Sequence, residues 1–247
     1  MTIYAANWKM HLGPAAGRDL VRAVLNRVRP KAGRTLLFFP PAVSLPAVAA
    51  EVNGRADCGA GAQNVYFEPR GAFTGEISAP IAAEAGATWC LVGHSERRHK
   101  FGETDEETGK KVRAAFAAGL APMLCVGELL EERQAGRTEQ VVLRQLEAGL
   151  AGLDAAGVAR MVIAYEPVWA IGTGVNATPA DAAAVHRAIR AWLRDHTSAG
   201  TRAQVLYGGS VNAKNAADLL AQEELDGVLV GGASLEVDSW VGIVETR

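Results

Sequence analysis

The sequence predicts an α/β protein that consists of one barrel of eight parallel strands with helices on the outside. Eight short apolar runs alternate with helical stretches along all 247 residues. No linker, block of like charge or low-complexity segment separates one part of the chain from another. Such barrels commonly reach about 250 residues as one unit, so we expect a single domain over residues 1–247. A doubly wound open sheet is the alternative, but no Gly-x-Gly-x-x-Gly turn follows the first strand.

Each strand is a run of strand-forming residues that ends in a turn or a Gly or Pro residue. The first strand begins at Ile3, and the others are Thr35–Phe39, Cys58–Ala62, Trp89–Gly93, Leu120–Gly127, Met161–Tyr165, Gln204–Tyr207 and Gly227–Val230. Helices between them show apolar residues at helical spacing or an N-terminal capping residue. They include Pro14–Arg29, Val43–Val52, a helix opened by Thr104, one through Val142 to Leu150, and one capped by Thr178.

Composition narrows the class of protein. Hydrophobic residues make up 49% and charged residues 21%, which is ordinary for a protein with a large core. The net charge of −2 argues against nucleic acid or an anionic membrane as a partner. Cys58, Cys90 and Cys125 are far apart and lie in apolar runs, so we expect reduced, buried thiols. With no targeting pattern at the start, the prediction is a cytoplasmic protein.

Two polar residues lie at the end of the first strand. Asn7 and Lys9 are two positions apart, and side chains alternate along a strand, so both are expected to face the same side. A polar pair on one face suggests a ligand site. The alternative is an amide and an ammonium at an ordinary strand end.

His94 is the functional candidate among the five histidines, because it directly follows the fourth strand. A helical turn that starts near Ser95 would direct backbone N–H groups at the imidazole and disfavour its protonated form. A neutral ring could donate a hydrogen bond to a carbonyl that becomes an enediolate. The other four histidines have no comparable setting and are interpreted as structural: His11, His99, His186 and His196.

Glu166 stands where the sixth strand ends, and a carboxylate in that position can act as a base. Pro167 stops the strand, and the following lid segment (residues 167–174) is unusually apolar before its two glycines. An apolar lid would exclude water from a site when it closes. The alternative is a loop that anchors the core and leaves the glutamate solvated.

Glycine pairs follow the last two strands. Gly208-Gly209 precedes Ser210, and Gly231-Gly232 is followed by a predicted helix start near Gly232. Paired glycines let backbone amides approach an anion closely, and phosphate sites recur at this position in barrels. We therefore predict a phosphate site here, although a glycine pair alone is usually a turn.

The segment Gln63–Glu76 is a long loop with three aromatic residues, which are unfavourable in water. Either the loop folds over its own barrel or it docks into a second subunit.

Five ordered motifs resemble the triosephosphate isomerase family along essentially the whole chain. They are Asn7-Trp8-Lys9, the pentapeptide from His94 to Arg98, the stretch from Ala164 to Gly174, Tyr207-Gly208-Gly209-Ser210, and the hexapeptide from Leu229 to Ser234. The resemblance implies the (β/α)8 TIM barrel and the interconversion of dihydroxyacetone phosphate and D-glyceraldehyde 3-phosphate in glycolysis and gluconeogenesis. It also implies a homodimer formed through the loop Gln63–Glu76, whose Gly71-to-Glu76 stretch matches the family.

The same resemblance implies residue roles, and the family is the well-known example of a glutamate base with a neutral histidine electrophile. It gives Glu166 as the base, His94 as the electrophile and Lys9 as the electrostatic stabiliser, all three catalytic. Substrate-binding residues are Asn7, Lys9, Gly172, Ser210, Gly231 and Gly232, and the chemistry requires no metal and no cofactor. Val175-Asn176 departs from the Lys-Thr that the family usually has, which predicts altered opening of the lid segment.

Two rival functions share this fold prediction. One is a phosphate-binding barrel aldolase that uses Lys9 to form a Schiff base. The other is a catalytically silent barrel that binds a phosphorylated metabolite.

Overall fold

The computed structural model describes residues 1–171, 177–198 and 203–246. Eight parallel strands close into a barrel in sequence order, which confirms the predicted (β/α)8 fold. The strands are β1 (Thr2–Asn7), β2 (Arg34–Phe39), β3 (Cys58–Ala62), β4 (Trp89–Val92), β5 (Ala121–Val126), β6 (Val162–Tyr165), β7 (Gln204–Tyr207) and β8 (Gly227–Val230). The seam is closed by β1 and β8, where Ile3 pairs with Gly227. A Cβ at Gly227 would lie 2.0 Å from the Ile3 carbonyl oxygen, so only glycine fits there.

Helices cover the outside of the barrel. In the described ranges they are α1 (Pro14–Arg27), α2 (Leu45–Val52), α3 (Ala79–Glu84), α4 (Ser95–Phe101), α5 (Asp105–Ala117), α6 (Leu130–Gln134), α7 (Thr138–Leu150), α8 (Ala155–Ala159), α9 (Pro179–His196), α10 (Ala216–Leu220) and α11 (Val237–Val244). Short 3-10 turns span Ala42–Ser44, Val168–Ala170 and Gly232–Ser234. None of the helices described here is long and apolar enough to cross a membrane.

Some predicted boundaries were wrong by a few residues. The first helix ends at Arg27 and not Arg29, because Val28 has an extended backbone. The helix predicted from Val43 begins with the 3-10 turn, and α2 starts only at Leu45, with Pro46 in its first turn. Proline is favourable there because the first helical N–H groups have no partner in the helix.

Two apolar layers result from the alternation of side chains along the strands. One cluster fills the barrel interior with inward residues, among them Ala5, Ala164, Leu206 and Leu229. A larger cluster lies between the outward residues of the strands and the helices. The three cysteines are free thiols, and burial raises the pKa of both Cys58 and Cys90 to about 12. Cys90 and Cys125 are buried as predicted, whereas Cys58 is only partly buried.

Candidate active site

The inward register of the strands continues into the mouth of the barrel. Asn7 lies two residues after the inward Ala5, and Glu166 lies two residues after the inward Ala164. Because the side-chain period of a strand is two, both polar residues extend the inner face past the apolar plug. Their burial agrees with this position, since Asn7 is 5% and Glu166 is 2% exposed.

A cavity of about 360 Å³ opens at this carboxyl end of the strands. It brings together every predicted site residue that the structure describes. Its lining consists of Asn7, Lys9, His94, Glu166, Ile171, Gly208, Gly209, Ser210, Val211, Asn212, Leu229, Gly231, Gly232 and Ala233. Gly172 and the pair Val175-Asn176 lie outside the described residues.

The Glu166 carboxylate is held by two partners. Its Oε1 lies 3.0 Å from His94 Nε2, and its Oε2 accepts a 2.8 Å hydrogen bond from the Ser95 N–H. Burial raises the pKa of Glu166, but His94, the Ser95 N–H and Lys9 together outweigh it, so the net shift is downward. The carboxylate is therefore ionised at neutral pH, as a base must be.

Glycines leave the space that Glu166 occupies. A Cβ at Gly127 would lie 1.7 Å from the Glu166 carbonyl oxygen, and a Cβ at Gly208 would lie 2.9 Å from its Cγ. These two positions come from the ends of β5 and β7, the strands on either side of β6. Because these two positions carry no side chain, the neighbouring strands leave room for the backbone and side chain of Glu166.

His94 is placed by a change of backbone direction. Gly93 has a left-handed backbone (φ 72°), and His94 then serves as the N-cap of α4, with Nδ1 accepting a 3.2 Å hydrogen bond from the Glu96 N–H. A ring whose Nδ1 accepts carries its proton on Nε2, the atom that faces Glu166.

The start of α4 at Ser95 is as predicted, but the expected effect on the imidazole is wrong for this arrangement. Burial lowers the pKa of His94, whereas the carboxylate of Glu166 raises it more strongly, so the net shift is upward. The residues next to His94 in the sequence reveal the helix start, whereas the carboxylate 3.0 Å away comes from a different strand end.

Lys9 reaches the cavity by a route that the sequence argument did not foresee. The strand ends at Asn7, and Lys9 has a left-handed backbone (φ 51°), so strand alternation is not what places the two side chains together. Instead, Asn7 Oδ1 accepts a 3.0 Å hydrogen bond from the Lys9 N–H. The Lys9 ammonium then forms a 2.9 Å ion pair with Glu96, and this ammonium lowers the Glu96 pKa despite the opposing effect of burial.

The opposite wall of the cavity is largely backbone. Gly208 to Asn212 come from the end of β7, and Gly231 to Ala233 from the end of β8. A Cβ at Gly232 would meet no atom within 4 Å, so this wall has open space in front of it. The helix predicted from Gly232 is only a three-residue 3-10 turn, and the dipole it adds is correspondingly small.

The described start of the lid segment is anchored on a buried glutamate. Glu128 is fully buried, and its Oε1 accepts hydrogen bonds from Trp169 Nε1 at 2.9 Å and Tyr165 Oη at 3.1 Å. Its carbonyl oxygen accepts the Val168 N–H at 3.1 Å. Sequence reasoning missed Glu128, because its partners come from the next strand of the barrel.

The loop Gln63–Glu76 packs its aromatic rings against one another. Tyr66 stacks on Phe67 with 4.3 Å between ring centroids, and Phe73 lies 4.6 Å from Tyr66. Phe73 nevertheless remains 41% exposed. An aromatic ring at the tip of a long loop is thus left without cover in the single chain.

Two further contributors escaped sequence reasoning. The Ser95 backbone N–H binds the carboxylate of Glu166, and Glu96 binds the ammonium of Lys9. Their position directly after His94 was the only available signal. In the described part of the chain, no group of three His, Cys, Asp or Glu side chains is arranged to hold a metal ion.

A closed parallel barrel with a carboxylate, an imidazole and an ammonium around one small cavity is the architecture of a (β/α)8-barrel enzyme with acid–base chemistry. The sequence model of the family described as Triosephosphate isomerase matches residues 2–247. The chain belongs to the triosephosphate isomerase family.

Relatives named "Triosephosphate isomerase" support this membership over nearly the full length. The protein of Roseiflexus castenholzii is 50% identical over 244 residues, which cover 98% of this chain and 96% of the relative. That of Symbiobacterium thermophilum is 49% identical over 98% of this chain and 94% of its own. That of Thermus thermophilus is 46% identical, with coverages of 98% and 97%.

Proposed function

We propose that the chain interconverts dihydroxyacetone phosphate and D-glyceraldehyde 3-phosphate with Glu166 as the base, His94 as the electrophile and Lys9 as the electrostatic stabiliser. Family membership makes the chain an aldose–ketose isomerase with a triose phosphate as substrate. The proposal concerns the residues that do the chemistry. It rests on one observation, which is that the Glu166 carboxylate, His94 Nε2 and the Lys9 ammonium all face one cavity of about 360 Å³.

The reaction moves one proton between adjacent carbons. Glu166 removes the proton from the carbon beside the carbonyl group. The electron pair of that C–H bond forms a C=C double bond, and the π pair of the carbonyl group moves to its oxygen to give an enediolate. His94 donates its Nε2 proton to that oxygen and moves protons between the two oxygens. Glu166 then returns its proton to the neighbouring carbon, so no atom or electron is gained or lost.

Substrate binding has to separate Glu166 from His94. In the free site the Nε2 proton faces Glu166 Oε1 at 3.0 Å, and both groups must turn to the substrate instead. The Lys9 ammonium, already in the cavity, then lies near the developing negative charge, and such preorganised charge is often the largest catalytic effect.

The phosphate group of the substrate would lie against the glycine-rich wall. Ser210, Gly231 and Gly232 line it, and the open space at Gly232 leaves the backbone accessible to an anion. Asn7 binds substrate on the opposite side, next to Lys9. Gly172, outside the described residues, is proposed to complete the phosphate site when the lid segment closes.

The aldolase alternative is disfavoured by the state of Lys9. Formation of a Schiff base needs an amine that is free to attack the substrate carbonyl, but the Lys9 nitrogen is held by the Glu96 carboxylate at 2.9 Å. A lysine side chain held in an ion pair at the cavity suits electrostatic stabilisation.

The test is an isomerisation assay without added metal or nucleotide, on the natural chain and on Glu166→Asp. Shortening the side chain withdraws the carboxylate by about 1 Å and is expected to lower kcat about 10²-fold. Binding of inorganic phosphate should stay unchanged. Equal kcat for both proteins would exclude Glu166 as the base, and borohydride trapping of substrate on Lys9 would support the aldolase.

We further propose a homodimer that forms through the loop Gln63–Glu76, because Phe73 is exposed at its tip. Light scattering should give twice the chain mass of 25.9 kDa, and Phe73→Ser should shift the protein towards a monomer. A monomeric natural protein would contradict the proposal.

Residues 1–247 are proposed to form one domain, which predicts a single unfolding transition shared by fluorescence and circular dichroism. The proposed setting is the cytoplasm, in glycolysis and gluconeogenesis, and cell fractionation would test it.

A further inference from the structure

The turn after β1 has an unusual backbone. Among the residues that the structure describes, Lys9 (φ 51°) and Leu12 (φ 65°) are the two with a side chain and a left-handed backbone. Side chains disfavour this conformation, and it persists only where the surroundings hold it. The turn places the Lys9 ammonium in the cavity, 2.9 Å from Glu96, so its conformation matters for the site.

A side chain from elsewhere in the chain holds each of these two residues. Gln63 Nε2 donates a 2.8 Å hydrogen bond to the Lys9 carbonyl oxygen. Ser44 Oγ donates a 2.8 Å hydrogen bond to the Leu12 carbonyl oxygen. The two contacts have the same form, but only the first acts on a residue that lines the cavity.

The Gln63 amide has a second partner that fixes its orientation. Nε2 also donates a 2.8 Å hydrogen bond to the Phe39 carbonyl oxygen, at the end of β2. Both partners are acceptors, so only the NH2 side of the amide can face them. Gln63 directly follows β3 and thus connects the ends of three adjacent strands at the point where their ladder stops.

We propose that Gln63 is a positioning residue that holds the left-handed Lys9 backbone and so keeps the ammonium in the cavity. Gln63 does not line the cavity itself, and it acts on the reaction only through Lys9. The inference rests on the proposed role of Lys9. Gln63 is also the first residue of the loop Gln63–Glu76, so the same amide links the proposed dimer contact to the site.

The test is a double-mutant cycle with Gln63→Met, Lys9→Met and the double variant. Methionine has a similar length and no donor, so both carbonyl oxygens lose their partner. Gln63→Met is expected to lower kcat/KM about tenfold and to raise the Kd of inorganic phosphate in the otherwise natural chain. In the Lys9→Met background the same change should have no further effect, because the group that it positions is already gone.

Ser44→Ala is the matched control, since it removes the corresponding contact at Leu12. It should change kcat/KM by less than about twofold, while its effect on Tm resembles that of Gln63→Met. If Gln63→Met does not fold, Gln63→Asn replaces it, because the shorter amide cannot span both carbonyl oxygens.

Two results would overturn the inference. One is an unchanged kcat/KM in Gln63→Met, and the other is an equal loss with and without Lys9, which would show a general structural role. If the natural chain has no isomerase activity, the proposed function fails, but phosphate binding across the same cycle still decides the role of Gln63.

Discussion

Two buried histidines, His94 at the mouth of the barrel and His186 on α9, occupy opposite kinds of environment. His94 is 6% and His186 0% exposed, so burial does not distinguish them. His94 faces the Glu166 carboxylate, and its pKa is raised. His186 faces the Glu224 carbonyl oxygen at 3.2 Å and the edge of the Tyr165 ring, and burial lowers its pKa to about 3.

The difference shows what makes a buried histidine available for chemistry. His94 borders a cavity and shares its Nε2 proton with a second titratable group. His186 Nε2 has no hydrogen-bond partner among the described residues, and the ring does not line the cavity at the mouth of the barrel. This ring has a structural role in the core, through packing and its contact with the Glu224 carbonyl oxygen. The role of a buried histidine therefore depends on a titratable partner and on access to a cavity, and not on burial itself.

The largest expected effect is the difference in kcat between two single variants, in which His94 or His186 is replaced by glutamine. His94→Gln should lower kcat roughly 10²–10⁴-fold, because the group that exchanges protons with the substrate oxygens is lost. His186→Gln should leave kcat unchanged and lower Tm, since it disturbs only the core. Steady-state isomerisation kinetics and thermal unfolding of both variants give the comparison.

The interpretation would be wrong if the two variants lost activity to the same extent after correction for the folded fraction. Equal losses would mean that any buried histidine of this barrel supports activity through stability.

The next effect is the dependence of stability on pH. In the unfolded chain His186 is protonated below about pH 6.5, whereas in the folded chain it is protonated only below about pH 3. The free energy of unfolding therefore falls as the pH falls through this window, by up to about 1.4 kcal/mol per pH unit. Urea unfolding between pH 7 and pH 4 measures the slope.

The matched protein is again His186→Gln. Its free energy of unfolding should depend less steeply on pH, because it lacks the proton that His186 takes up on unfolding. The difference between the two proteins isolates His186 from the carboxylates that titrate in the same range. Parallel slopes would show that the folded protein binds this proton as easily as the unfolded chain.

This contrast also shows how far the sequence could predict the site. The strand order and the end-of-strand positions of Asn7, His94 and Glu166 followed from local pattern, because strand, turn and helix signals are local. The distinction of His94 from the other histidines followed from its position directly after a strand.

The properties that the sequence did not predict are those that depend on contacts between residues of different strands. The upward pKa shift of His94 requires Glu166, 72 residues later, and the left-handed Lys9 is held by Gln63, 54 residues later. No local pattern encodes such contacts, because they exist only once the barrel closes. The short turn at Gly232–Ser234 failed for a simpler reason, since a glycine pair signals a turn without giving its length.

A smaller effect tests the cause of the pKa shift at His94. Glu166→Gln keeps the shape of the side chain and an acceptor for the Ser95 N–H but removes the charge. Burial is then the dominant influence, so the pKa of His94 should fall below its ordinary value, as that of His186 does. A titration of the imidazole signals by NMR measures the pKa in both proteins.

The His186 signals in the same spectra are the internal control and should not move. A pKa of His94 that stays raised in Glu166→Gln would assign the shift to Glu96, whose carboxylate lies 3.8 Å from Nδ1.

The smallest effect belongs to an exposed histidine at the end of the same helix as His186. The ring of His196 stacks on Trp192 with 4.3 Å between centroids, and its Nδ1 lies 2.8 Å from the Trp192 carbonyl oxygen. Both contacts are open to solvent, so His196→Ala should change the free energy of unfolding by about 0.5 kcal/mol or less and leave kcat/KM unchanged. Urea unfolding at pH 7 together with the isomerisation assay measures both. A loss comparable to that of His186→Gln would show that the end of α9 contributes as much stability as its buried face, and the division between core and surface histidines would then have to be redrawn.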